Sequence, residues 1–421
     1  MAVVGLGYVG LPTACMFAIN GLRVLGVDSN PDVVNELLDG RPRAVEPEIR
    51  SLLEQAIHSG NLRLSVELES CDAYVVSVPT PVGDDRVADL SFVRSALAAV
   101  LRVAAPGNLV VLESTIPPGT MLEVVLPALR SGGFEPGSDL LVAHCPERVL
   151  PGATTILELV QNDRIIGGFD AASASRAAEL YSAFVKGSLH LTGITTAEFV
   201  KVIENTYRDV NIALANEFAK LAEVVDVDVW EAIQLANNHP RVNVLRPGPG
   251  VGGHCVAVDP WFLVQLDSSR ARVIRAAREA NDGMPRHVVE RLLAEVDLEG
   301  GEVALLGLAY RADLGDIRES PALAIHRELT QRGVKVRVHD PLVSEAIPGI
   351  DNLSLEAAVK GAAALLIVTD HAAIRSLDPN SIADLVARRI VFDTRNCLDR
   401  NAWRAAGFRV LGLGRTEPDG P

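Results

Sequence analysis

The chain has 421 residues, 48% of them hydrophobic, and 54 Asp and Glu against 39 Lys and Arg give a formal charge of −15. That length predicts two or three domains with sizeable cores. No apolar run approaches the roughly 18 residues of a membrane span, and the acidic balance argues against a nucleic-acid partner, which would need a basic stripe. Five cysteines, at 15, 71, 145, 255 and 397, include no Cys-x-x-Cys pair. They are therefore expected as free thiols, not as a disulfide framework or a metal site. The N-terminus lacks the basic segment and apolar core of a signal peptide, and a cytoplasmic location is expected.

The first element is a short strand, Ala2-Val-Val4, followed by Gly5-Leu-Gly7-Tyr8-Val9-Gly10, a helical pattern, and a second strand from Arg23 to Val27 that ends at Asp28. Strand, glycine turn, helix, strand and acid in this order form a dinucleotide fingerprint. Gly5 makes the turn, Gly7 admits a pyrophosphate, Gly10 lets helix and strand approach, and Asp28 holds ribose hydroxyls while repelling a 2′-phosphate. NAD is the expected cofactor. A lone glycine turn could equally pack a helix on a sheet; the flanking strands and the acid 18 residues after Gly10 favour the cofactor.

Further strands are expected at Ala73–Val78, Leu109–Leu112 and Leu140–Ala143, with helices at Asp89–Ala104 and Leu122–Ser131, the pattern of a parallel doubly wound sheet. Three of these strands end in polar loops: Pro79-Thr80-Pro81, Glu113-Ser-Thr115-Ile-Pro-Pro-Gly119, and Cys145-Pro-Glu147-Arg148. Each could be ordinary turn chemistry. Three on one rim, at the strand ends where such sheets bind ligands, point to a site.

From Thr195 to Asn238 the chain has neither glycine nor proline, and Ala197 to Glu217 reads as part of a helix of about 30 residues, roughly 45 Å long. Lys201, Asn205 and Arg208 share one of its faces. They form either a solvated stripe or, for Lys201 and Asn205, a donor pair for a developing oxyanion. Next comes Pro247-Gly-Pro-Gly-Val-Gly-Gly-His-Cys-Val-Ala-Val-Asp-Pro-Trp261, which sets Cys255 in a loop of four glycines with Asp259 four residues on. Packing cysteines need no such surroundings, so Cys255 reads as a nucleophile. A second α/β unit starts near Glu302, with strands at Val303–Gly307, Lys335–His339, Ala364–Val368, Ile390–Phe392 and Arg409–Leu413 and helices at Ser320–Arg332 and Leu355–Lys360. It lacks the second and third fingerprint glycines. Arg311, Arg318 and Arg395 could grip a diphosphate or pair with Asp313, Asp316 and Glu319.

Six motifs together resemble the UDP-glucose/GDP-mannose dehydrogenase family along nearly the whole chain. They are Gly5 to Pro12, Glu113 to Thr120, Cys145 to Gly152, Glu198 to Glu217, His239-Pro-Arg241-Val-Asn243 with the Cys255 loop, and Arg318-Glu-Ser-Pro-Ala322. The His239 and Cys255 segments are similar to the branch of that family that handles 2-acetamido sugars. Where UDP-glucose enzymes carry a second glutamate in the third motif, this chain has Pro151, and Arg311 stands where many relatives have lysine.

The resemblance implies an α/β architecture of two Rossmann-like doubly wound domains joined by a long central helix. Residues 1–193 would bind NAD, 194–298 would carry the dimerisation region and the cysteine, and 299–421 would bind the UDP-sugar. It implies a four-electron oxidation of a UDP-sugar at C6 with two NAD+, through a thioester on Cys255. Lys201 and Asn205 would stabilise the oxyanion, Asp259 would assist the hydrolytic water, and Thr115 would place that water. Cofactor contacts would come from Gly5, Gly7, Tyr8, Val9, Gly10, Asp28, Thr80, Thr115 and Arg318. Substrate contacts would come from Glu147, Arg148, Lys201, Asn205, Arg208, His239, Gly252, Tyr310 and Arg311. Arg241 would reach the site of the other subunit of a homodimer. The identity of the sugar, and a non-catalytic nucleotide-sugar sensor on the same scaffold, stay open at this point.

Overall fold

A computed structural model describes residues 1–41, 47–83, 85–149, 155–253, 255–298, 300–344 and 346–415. Pro151, Gly152 and His254, which belong to the motifs above, lie outside these. The chain packs as two compact units, Met1–Glu204 with Trp261–Ser268, and Asn205–Pro260 with Ser269–Pro421.

The first unit is built on β1 (Ala2–Val4), β2 (Val24–Val27), β3 (Leu62–Ser65), β4 (Ala73–Val76), β5 (Leu109–Leu112), β6 (Leu141–His144), β7 (Arg164–Gly168) and β8 (Leu189–Gly193). They lie in the order β3-β2-β1-β4-β5-β6-β7-β8, parallel throughout except where β7 runs against β6. Successive strand residues point to opposite faces. Val3, Val75 and Val111 therefore enter one apolar layer with Phe17, Leu53 and Tyr181, while Ala2, Val4, Tyr74 and Val110 enter another with Leu97 and Val125. Both faces being covered explains why the strands read as continuous apolar runs and not as alternations. The chain runs outward from β1 to β2 and β3 and then crosses back to β4 on the other side of β1, and this reversal of strand order opens a crevice at the carboxyl ends of β1 and β4.

The second unit repeats the plan with β9 (Glu302–Leu306), β10 (Lys335–His339), β11 (Ala364–Ile367), β12 (Ile390–Asp393) and β13 (Arg409–Gly412), all parallel in the order β10-β9-β11-β12-β13. Val303 and Leu305 pack with Ala215, Ala219, Val229 and Met284 on one face; Ala304 and Leu306 pack with Val391 and Trp403 on the other.

The long helix runs from Ile194 to Val224, 31 residues. It stops short of Asn238 because Asp226 takes a left-handed backbone at φ +57° and Asp228 caps a new helix, Val229–Ala236, by accepting from the Trp230 and Glu231 amides. Its exposed positions include Phe199, Ile203, Tyr207, Leu214, Phe218 and Leu221. That spacing of three, four and seven draws one apolar stripe along a face. No helix among the described residues is long and apolar enough to cross a membrane.

Candidate active site

Gly5 has φ +94°, and a Cβ there would lie 2.3 Å from the Ser77 carbonyl oxygen; one at Gly10 would lie 1.9 Å from the Gly5 carbonyl. Both glycines are thus required by the chain itself. Gly7 differs, because a Cβ there would meet nothing within 4 Å. What it would obstruct is the space before the Gly10–Ile19 helix, whose N-terminus has no side-chain cap and no acid in its first turn. Such an end favours an anion. Tyr8 and Val9 stand half-buried between Gly7 and that helix. Asp28 accepts from the Leu6 amide with one oxygen, at 3.0 Å, and from the Asn30 amide with the other, at 2.9 Å. A carboxylate offers about four acceptor positions. Two remain, which is what a pair of ribose hydroxyls needs, so these residues fit an NAD.

Thr80, on the loop after β4, donates its hydroxyl to the Thr115 carbonyl at 2.6 Å and so ties two rim loops together. The loop of Thr115 is held from the other side by Glu198, fully buried on the long helix, which accepts from the Gly119 and Met121 amides at 2.7 Å each. Burial raises the Glu198 carboxyl above its ordinary value, against the lowering effect of those two amides. Lys201, one turn on, is 7% exposed.

Glu147 is buried with both carboxylate oxygens occupied. One accepts from the Arg148 and Val149 amides at 2.6 and 3.0 Å; the other faces Arg164 at 2.6 Å. Arg148 in turn grips Glu204 and donates to the Asp163 carbonyl. Arg164 also lies 3.5 Å from Glu113, to which Tyr181 donates its phenol proton at 2.9 Å. Burial pushes the Glu113 carboxyl up to about 7, and pushes the neighbouring Cys145 thiol up to about 12. Cys145 is thereby an inert thiol, in contrast to the half-buried Cys255. None of the five cysteines takes part in a disulfide.

The Cys255 loop lies in the second unit. Asp259, 2% exposed, opens the helix Asp259–Leu266; its amide donates to the Cys255 carbonyl at 2.8 Å, and its carboxylate accepts from the Asn205 side-chain amide at 2.5 Å. The loop's glycines have a specific cause. A Cβ on Gly252 would lie 2.6 Å from the Tyr310 Cβ and 2.7 Å from the Glu319 carbonyl, and one on Gly253 would lie 2.9 Å from the Tyr310 ring. One on Gly248 would lie 2.6 Å from the Arg395 guanidinium. The close approach is therefore to the chain's own loops after β9 and β12. Burial pushes the Tyr310 phenol up to about 12.

In the second unit Gly307 repeats the φ of +94° and presses on Thr369. Here the acid at the end of the next strand, Asp340, accepts from the amides of Leu308, Ala309, Leu342 and Val343 and faces His371 Nε2 at 3.0 Å. Five donors leave its carboxylate no position for a ribose. Arg318 is paired with Asp316 through both its Nε and Nη2, the latter at 2.6 Å, and Arg395 with Asp370 at 3.1 Å. Arg208, Arg311, His239 and Arg241 are exposed, the last two joined by an Arg241 amide donating to His239 Nδ1.

Sequence reasoning did not find Glu198, Arg164, Tyr181, Asn216 or Asn281 as members of buried networks. Their partners are distant in the chain, and nothing local marks them.

The family profiles agree with this geometry. The NAD binding domain of the UDP-glucose/GDP-mannose dehydrogenase family matches residues 1–185, its central domain residues 195–283, and its UDP binding domain residues 304–400. A UDP-N-acetyl-D-mannosamine dehydrogenase of Methanocaldococcus jannaschii is 44% identical over 420 residues, 98% of this chain and 96% of the relative. An NDP-N-acetyl-D-galactosaminuronic acid dehydrogenase of Ralstonia nicotianae is 44% identical over 407 residues, 94% of this chain and 95% of the relative. Among solved structures, the UDP-D-ManNAc dehydrogenase of Pyrococcus horikoshii is 41% identical with a TM-score of 0.91, covering 99% of both chains. The chain belongs to the UDP-glucose/GDP-mannose dehydrogenase family and is an NAD-dependent UDP-sugar dehydrogenase.

Proposed function

We propose that the protein oxidises UDP-N-acetyl-D-mannosamine at C6 to UDP-N-acetyl-D-mannosaminuronate in the cytoplasm, with Cys255 as a covalent nucleophile. The observation that carries the covalent part is the Cys255 turn: within one unit, the buried Asp259 donates its amide to the Cys255 carbonyl and accepts the Asn205 side-chain amide on its carboxylate, which sets acid and amide beside the cysteine turn. The glycine turn at Gly5, Gly7 and Gly10 and the Asp28 carboxylate would hold two NAD+ in turn, which would supply the hydride acceptor for each of the two oxidations. The first converts the C6 alcohol to an aldehyde with loss of a proton. The Cys255 thiolate adds to that aldehyde, and Lys201 and Asn205 donate to the oxygen that becomes negative. The second oxidation yields a thioester. Water, placed by Thr115 and relieved of its proton toward Asp259, then releases the carboxylate and returns the thiol.

In this reading Gly5, Gly7, Tyr8, Val9, Gly10, Asp28, Thr80 and Thr115 serve NAD within residues 1–193. The UDP-sugar meets Tyr310 and Arg311 in 299–421, with Glu147, Arg148, Arg208, His239 and Gly252 shaping the sugar end. Residues 194–298 carry the cysteine and pair two chains. The apolar stripe of the long helix supports that pairing, as does an apolar groove of about 380 Å3 that Phe218, Leu221 and Val225 share with Val229, Ile233 and Val244. A helix stripe of this kind is self-complementary across a two-fold axis. Arg241 then extends toward the site of the second chain. The identity of the sugar rests on the relatives' names, since epimers differ by a few contacts worth about 1 to 3 kcal/mol each.

The test is NADH formed from UDP-ManNAc, UDP-GlcNAc and UDP-glucose in parallel by the native chain and by Cys255→Ser. Two NADH per UDP-ManNAc, with the variant stalled, is the expected result. Turnover of only another sugar overturns the substrate assignment, and an undiminished Cys255→Ser overturns the covalent step.

A further inference from the structure

Asp209, one turn beyond Asn205 on the long helix, is 0% exposed and pairs with Arg278 at 2.5 Å. Arg278 lies on the helix Arg272–Asp282, is itself 2% exposed, and also pairs with Asp282. Asn281 on that helix donates its side-chain nitrogen to the Asp209 carboxylate at 2.8 Å and to the Asp209 carbonyl at 3.0 Å. Its oxygen accepts from the Asn216 side-chain nitrogen at 2.8 Å, and the oxygen of Asn216 accepts from the Gly248 amide at 2.9 Å. Asn216 and Asn281 are 0% and 1% exposed.

This chain of bonds has a direction. A carboxylate only accepts, so it fixes which end of the Asn281 amide faces it, and that choice fixes Asn216 in turn. The sequence of amides therefore presents an acceptor, and not a donor, to the entry of the cysteine loop. A flip of either amide would leave buried donors face to face, at a cost of about 1 to 3 kcal/mol for each unmade bond. The loop is pinned again at Gly253, whose amide donates to the Arg318 carbonyl at 3.0 Å. Between the two pins Pro249 limits the backbone, and a Cβ on Gly250 would lie 3.4 Å from the Asn281 carbonyl. Little slack remains between Gly248 and Gly253.

We propose that Asn216 and Asn281 are positioning residues that hold the Cys255 thiol through the loop entry at Gly248. The inference rests on the reading of Cys255 as the nucleophile. A displacement of a reacting group by about 1 Å costs on the order of a hundredfold in rate.

Asn216→Asp and Asn216→Leu separate positioning from stability. Asp keeps the acceptor for Gly248 but places an acid against the Asn281 oxygen. Leu fills similar space without charge and removes the acceptor. A purely structural role predicts that activity follows stability, with the buried acid the worse of the two. Positioning predicts the reverse order: Leu melts at the higher temperature of the two, yet forms NADH at least about tenfold more slowly than Asp, with KM for NAD+ within about twofold of the native chain. Should Asn216→Asp fail to fold, Asn281→Leu cuts the same relay one link away, and it is expected to slow NADH formation to the extent Asn216→Leu does. The rate of Cys255 alkylation by iodoacetamide, followed by peptide mass spectrometry, reports on the loop with no sugar present. It is expected to change at least about threefold in Asn216→Leu. Activity that tracks melting temperature, or unchanged alkylation in Asn216→Leu, overturns the inference. A native chain inactive on every UDP-sugar, or an undiminished Cys255→Ser, instead overturns the nucleophile reading.

Discussion

Replacing Glu113 with Gln tests the charge balance of the first unit. Glu113 directly follows β5 and is 1% exposed; Glu147 and Arg164 beside it are 8% and 3% exposed. Two acids thus share one base in a space closed by the Tyr181 and Phe184 rings, 4.8 and 5.6 Å from the guanidinium carbon. Arg164 makes its shorter contact, 2.6 Å, with Glu147, which also receives two amides, and lies 3.5 Å from Glu113. Burial accordingly raises the Glu113 carboxyl from 4.5 to about 7. At 1.36 kcal/mol per unit, that shift corresponds to about 3 kcal/mol.

The native state binds the extra proton, so this contribution to stability is full below about 4.5 and lost as pH rises through about 7. Gln keeps an acceptor for Tyr181 and cannot ionise. The variant is expected to come close to the native chain at pH 5 and to exceed it at pH 8 by up to about 3 kcal/mol, roughly 6 to 12 °C in melting temperature for a unit of this size. Thermal melts at pH 5, 6, 7 and 8 measure it. A variant that is equally destabilised at pH 5 and pH 8 refutes the reasoning.

Glu198→Ala leaves the Gly119 and Met121 amides without their acceptor and is expected to cost about 2 to 3 kcal/mol in urea unfolding, with faster hydrogen exchange confined first to residues near 119–121. Leu221→Asp, at a position 61% exposed in the single chain, places a charge in the apolar stripe; light scattering on a sizing column is expected to show the native chain as a dimer and the variant as a monomer. A monomeric native chain at micromolar concentration removes the stripe's proposed role.

Much of the fold was legible because buried parallel strands carry their signal locally. The strands read at Ala2–Val4, Leu109–Leu112 and Lys335–His339 match to the residue, and most others end within one or two. The strands β3, β7 and β8 escaped notice for physical reasons: β8 keeps most of its residues partly exposed, and β7 contains two glycines. Leu122–Ser131 read as one helix, but its first part, Met121–Val125, is wound more loosely, as a π-helix. In the site, residue types were visible and partners were not. Nothing in the sequence tells that Glu147 faces Arg164 or that Arg318 is held by Asp316. The glycines around Cys255 suggested room for a ligand, whereas three of them make room for Tyr310, Glu319 and Arg395.

The twin aspartates Asp28 and Asp340 close the second strand of their respective sheets, yet one keeps acceptor positions open while the other has none. The same chemical change therefore registers on different instruments. Neutralising Asp28 alters what a titration with nucleotide sees and touches only two amides of the fold; neutralising Asp340 unmoors two loops and a histidine, and it is the melt that moves further. A duplicated turn has in effect been divided into a lock and a hinge pin, and only the lock can be re-cut for another key without the door coming down.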